Sequence, residues 1–289
     1  MAPSWAGSGR VDVPGGRVAY RIAGEGERTL LTVHGGPGVP SSYIYSMADL
    51  AGEGRRVVFY DQLGCGESDR PDDEALWVVD RFVEELEAVR AALDLGRVDL
   101  WGHSWGGMLA QEYALAYPDS LRTLVLASTI CSASVHQRET ARLIDAFPPP
   151  TAGLLRNAHD GGETASPEYR AASAEFWGRH VCRIPFPPEV QRAVDDTSTA
   201  VLEAMWGADD VVMDGNLVGW DVSDRIAAIQ VPTLVTVGRY DSLTSTSASM
   251  IAARIAGSEL VMFEESSHHA LWEERERYMR VVRDFLEAH

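Results

Sequence analysis

"VDLWGHSWGGMLAQEYALAYP", residues 98–118, decides the fold: a short apolar run passes into a helical pattern through Gly102, His103, Ser104, Trp105 and Gly106 instead of polar capping residues. The spelling G-x-S-x-G between strand and helix describes a sharp turn in which the serine is strained and small neighbours let the two elements approach closely. The serine hydroxyl then stands above the sheet, at a helix N-terminus that favours negative charge. The bland alternative is an N-capping serine whose glycines serve packing alone. What surrounds the stretch decides between them.

Working outward, "TLLTVHGG" (29–36) and "RVVFYDQLG" (56–64) read as buried parallel strands ending in glycine. "GRVDV" and "GRVAYRIAG" predict an antiparallel hairpin around Pro14 and Gly15. Val79, Phe82, Leu86, Val89 and Leu93 recur at helical spacing, and Gly96 is expected to end that helix. After the serine helix come strand "LRTLVLAS", then far downstream strand "VPTLVTVG", helix "STSASMIAARIAG", strand "ELVMFEE" and a C-terminal helix. This alternation predicts an α/β fold: a mostly parallel sheet with helices on both faces. Between the two halves, residues 131–215 are proline-interrupted and helical in pattern, which reads as a cap inserted at the substrate pocket. The expected division is core 1–130, cap 131–215 and core 216–289.

Composition bounds the function. A chain of 289 residues with 45% hydrophobic content fills a substantial core. A formal charge of −18 argues against a nucleic-acid partner and favours attraction of cations. The absence of a long apolar stretch argues against a membrane, and a cytoplasmic location is the default expectation. Cys65, Cys131 and Cys182 are odd in number and widely spaced, so neither a disulfide framework nor a metal site is expected. All 25 basic residues are arginine, which rules out lysine chemistry.

A serine hydroxyl is a weak nucleophile at neutral pH and needs a base and an orienting acid, here in the chain order serine, acid, histidine. Asp241, after "VPTLVTVG", and His268, after "ELVMFEES", both fall at the carboxyl edge of the sheet, where ligands bind. His269 is the competing histidine, read as a neighbour. Asp61 precedes the serine in a turn and suits a structural role. His103 is expected to brace the elbow, and His34 to fix its loop through a backbone contact. In "HGGPG" (34–38) the amide of Gly36, with that of Trp105, can form an oxyanion hole.

Together "HGGPG", "DQLGCGES", "GHSWGG", "GRYD" and "SSHHALWEERERYMRVVRDFL" resemble the proline iminopeptidases of the α/β-hydrolase fold, including the tricorn-interacting aminopeptidase type and the related L-amino acid amidases. The resemblance implies Ser104, Asp241 and His268 as the triad, Gly36 and Trp105 as oxyanion donors, and no cofactor or metal. It also implies acidic side chains that hold the substrate ammonium. Asp210 matches the acid in the cap, whereas Ser242 stands where the tricorn-interacting type has a glutamate after the triad aspartate. Gly35 joins the expected substrate contacts. Phe176, Trp177, Phe186 and Trp206 are candidate walls of an apolar pocket, with Trp105 better placed still, against ordinary core packing as the alternative.

The leading expectation is therefore a serine aminopeptidase or amidase releasing proline or another small apolar N-terminal residue through an acyl-enzyme. An esterase or lactonase without a free-amine requirement is the alternative that Ser242 favours, and a noncatalytic binding protein is the remote one. The expected partner is a small molecule or short peptide; the sequence specifies no oligomeric state. Cys65, near a strand end, is expected to confer thiol-reagent sensitivity.

Overall fold

The structure, a computed structural model, describes residues 3–52, 54–160, 162–207 and 211–289. The chain opens with the hairpin β1 (Trp5–Val13) and β2 (Gly16–Ala23), followed by β3 (Arg28–Val33), a run of 3₁₀ turns over Ser41–Leu50, and β4 (Arg55–Tyr60). Then come α1 (Val79–Ala92), β5 (Val98–His103), α2 (Trp105–Ala116) and β6 (Leu121–Ala127). Five helices precede the next strand: α3 (Ala133–Asp145), α4 (Pro149–His159), α5 (Pro167–His180), α6 (Pro188–Asp195) and α7 (Thr199–Met205). The core resumes with β7 (Thr233–Gly238), α8 (Ser245–Arg254), β8 (Glu259–Phe263), α9 (Ala270–Glu273) and α10 (Arg275–Ala288).

The strands form one sheet in the order β1-β2-β4-β3-β5-β6-β7-β8, antiparallel at the hairpin end and parallel from β4 onward. Every residue of β5 and β7 is buried, as both faces of a central parallel strand must be. Alternation sorts the side chains: Val58 and Tyr60 face a core shared with α1, α2 and α8, while Val57 and Phe59 face one shared with the 41–50 turns and α10. The edge strands β1 and β8 are the exposed ones. The inserted helices have an apolar cluster of their own, built on Ile144, Phe147, Leu155, Tyr169 and Phe176.

One expected boundary moves. The helix α1 stops at Ala92 because Asp94 takes the left-handed conformation, φ 48°, and the amide of Leu95 closes on the carbonyl of Arg90. Gly96, the anticipated stop, follows with φ 61° and turns the chain toward β5. The strand order reverses direction between β3 and β5, and the crevice beyond their carboxyl ends is where such sheets bind ligands. His34–Gly36 and Ser104 stand there.

Candidate active site

Ser104 sits at φ 58°, ψ −125°, a conformation a β-substituted residue holds only when its surroundings enforce it. The enforcement is visible: the Ser104 amide bonds the Ala127 carbonyl of β6, and its carbonyl accepts from Gly107, Met108 and the Thr129 hydroxyl. Gly106 allows the turn, since a Cβ there would lie 2.2 Å from the Val33 carbonyl oxygen. Trp105 opens α2, where main-chain N–H groups have no intrahelical acceptor.

Asp241 and His268 lie side by side, His268 Nδ1 2.8 Å from Asp241 Oδ1. Burial pushes the Asp241 carboxyl up, but His268, the nearby Ser128 hydroxyl and the amide of Leu243 outweigh it and hold the group below the usual carboxylate range. The Leu243 amide donates to the same Oδ1 at 2.8 Å, which fixes the carboxylate toward the imidazole. Cap and core meet at this loop: the Ser242 amide donates to the carbonyl of His180 at the end of α5, and His180 Nδ1 donates to the carbonyl of Tyr240.

The glycine loop is tied into the same centre by two hydrogen-bonded chains. In the first, the Gly35 amide donates to the Tyr43 hydroxyl at 2.7 Å, the hydroxyl donates to His103 Nδ1 at 2.8 Å, and His103 Nε2 donates to the carbonyl of His268 at 2.9 Å. Desolvation lowers the His103 pKa to about 3, so the ring stays neutral and its tautomer is set by its two partners. In the second, Gln62 receives the Trp105 indole N–H at Oε1, donates its amide N–H to the His34 carbonyl, and gives its backbone N–H to His34 Nε2, each at 2.9 Å. His34 Nδ1 bonds the Gly35 carbonyl, the backbone contact its position suggested. Asp61 accepts from Ser41 and from the Glu67 amide, a turn-building role.

A cavity of about 70 Å³ opens at Ser104 and is lined by Gly36, His268 and His269 on the core side. Trp177, Val181, Val190 and Val194 close it from the cap. Trp177 is thus the cap aromatic on this wall. Phe176 is fully buried in the cap's own cluster, Trp206 packs on His136, and Phe186 lines an outer cleft. Trp105, anticipated as a substrate wall, is fully buried against Phe82 because its indole is held by Gln62. Ser242 is 4% exposed, and both backbone groups of Gly35 are taken, the amide by the Tyr43 hydroxyl and the carbonyl by His34. Asp210 lies outside the described residues. Cys65 is fully buried and its thiol is pushed well up by burial, both of which oppose reaction with thiol reagents in the folded chain. Among the described residues no cluster of three or more candidate metal ligands occurs.

Tyr43, Val39, Val181, Val190 and Val194, which also line the cavity at Ser104, carry no motif; Gln62 was visible within "DQLGCGES", but its bonds were not. A wider cleft of about 590 Å³, bordered by Tyr45, Pro187, Trp272 and Arg275, contains none of the triad candidates.

The model of the α/β-hydrolase fold family matches residues 28–275. A proline iminopeptidase of Saccharolobus solfataricus is 39% identical over 271 residues, covering 93% of this chain and 87% of the relative. The crystal structure of a proline iminopeptidase from Mycobacterium smegmatis superposes with a TM-score of 0.91 at 31% identity, covering 98% of each chain. That of VinJ superposes with a TM-score of 0.94 at 34% identity and 99% coverage of both chains.

Proposed function

We propose that this chain, which belongs to the proline iminopeptidase family of α/β-hydrolases, is a serine hydrolase releasing proline or another small apolar N-terminal residue from peptides or amino-acid amides. In this reading the Ser104 hydroxyl attacks the scissile carbonyl while His268 Nε2 takes its proton. Asp241 holds the imidazole in the required tautomer, and the amides of Gly36 and Trp105 receive the oxyanion. The C–N bond then breaks as His268 returns the proton to the leaving nitrogen, and water attacking by the same route frees the acid.

The observation that carries the proposal is the 2.8 Å bond of His268 Nδ1 to Asp241 on a histidine that shares a cavity with the strained Ser104. Asp210 is proposed as the anchor of the substrate ammonium, and the net charge of −18 would draw such a cation toward the protein. A second reading, an esterase or lactonase with no free-amine requirement, draws on Ser242, which is buried and supplies no carboxylate beside Asp241. We also propose a cytoplasmic location, which three buried free thiols support. Reaction with a fluorophosphonate followed by peptide mapping tests the nucleophile. A single adduct on Ser104, absent in Ser104→Ala, is expected; a folded protein that remains unlabelled would contradict the assignment.

A further inference from the structure

We infer that the cavity beside His268 receives the leaving-group side of the scissile bond and is built for an apolar, uncharged residue there, so that the enzyme selects its substrate on both sides of the cut. The inference rests on the serine-hydrolase reading above. A general acid must come within hydrogen-bond reach of the leaving nitrogen, so the side of Ser104 that carries His268 is the side from which the amine departs. The cavity wall includes both His268 and His269.

The facing wall is aliphatic. Val190 and Val194 come from α6, Val181 and Trp177 from α5 and its end, and Val39 from the glycine loop. Among the described residues no aspartate, glutamate or arginine borders this space, and burial holds His103 and His269 neutral. An ammonium or carboxylate placed here would lose its hydration without gaining a counter-charge. Among the described residues, none on this lining offers a counter-charge to the free amine of the substrate. A volume of about 70 Å³ suits a short aliphatic side chain.

Trp177 and Val194 also border an outer, more open cleft of about 480 Å³, which continues over Ile184 and Phe186. Among the described residues Arg170 is the one charged residue on its lining. A longer leaving peptide thus has a path past the inner cavity, and a negative charge is accommodated only once it lies beyond the first leaving residue. A dipeptide, whose carboxylate falls next to the bond, is a poorer substrate than the matching dipeptide amide.

The test measures kcat/KM of the full chain on prolyl-leucinamide, prolyl-glycinamide, prolyl-leucine and phenylalanyl-leucinamide, with Val194→Asp and Val194→Ala. For the wild type, prolyl-leucinamide is expected to exceed both prolyl-glycinamide and the free dipeptide by about tenfold or more. Val194→Asp is expected to erase the leucine-over-glycine preference and to leave the proline-to-phenylalanine ratio unchanged. Val194→Ala, which only widens the space, keeps the test informative should the aspartate variant fold poorly; it should reduce the leucine preference without touching the first-residue ratio. Turnover without leucine-over-glycine discrimination, or a variant that shifts the first-residue ratio instead, overturns this inference alone. No turnover of any of the four overturns the parent reading and this inference with it.

Discussion

At the scale of single residues, the two proposed oxyanion donors belong to separate segments, and Gln62 ties those segments together. One amide side chain accepts from the Trp105 indole and donates to the His34 carbonyl, with the residue 1% exposed. Buried networks of this kind are most costly when half satisfied. Gln62→Leu would leave the Trp105 N–H and the His34 carbonyl unpaired and free the glycine loop to drift from the elbow. The expected result is a fall in kcat of roughly tenfold to a hundredfold with KM little changed, since oxyanion stabilisation acts on the transition state. Gln62→Glu, which keeps the acceptor for Trp105 but loses the donor to His34, should fall between the two. A change confined to KM would show that Gln62 does not position these donors. The triad candidates were legible because chemistry needs a serine, an acid and a histidine in a definite order at strand ends. The Tyr43–His103 chain was not, because a tyrosine in "SSYIYS" has no local pattern that distinguishes a hydrogen-bond relay from core packing.

At the scale of elements, the strands read clearly wherever apolar runs are bounded by glycine, as in β3, β5 and β7. Periodicity located α1 but not its end, because the side chain-bearing Asp94 adopts the left-handed conformation two residues ahead of the glycine. The helices between β6 and β7 were legible as helices and their packing was not. Trp177 and Phe176 are adjacent on α5, yet one borders the candidate site and the other fills the cap's interior, a difference set by how α5 lies against α4 and the core. For the same reason Val190 and Val194, one turn apart on α6, read as an ordinary apolar stripe until the partner surface is known. The bonds of His180 to Tyr240 and Ser242 belong to this level too: the last residue of α5 grips the loop that presents Asp241. No sequence spacing announces a contact between residues 60 positions apart.

At the scale of the whole molecule, burial of neutral histidines couples stability to acid. Desolvation lowers the His103 pKa to about 3 and that of His136 to about 4, and drives that of His269 well below its ordinary value. In the unfolded chain each titrates near 6.5. Between those limits the unfolded state binds more protons than the folded one, so stability rises with pH and is lost as pH falls below about 6.5. Each fully linked histidine contributes about 1.4 kcal/mol per pH unit. Glu85 works in the opposite sense, because burial pushes its carboxyl up despite Arg81 and the Leu63 amide. Urea midpoints should decline steeply from pH 6.5 to 4.5; a flat profile would mean that these rings are protonated within the fold.

A substrate with a free N-terminus puts the whole chain to the test: kcat/KM for L-prolyl anilide against its N-acetylated form, with Ser104→Ala as control. Strong preference for the free-amine anilide and loss of all turnover in the control are expected. Equal or better hydrolysis of the blocked anilide, or activity that survives Ser104→Ala, would contradict the proposed function.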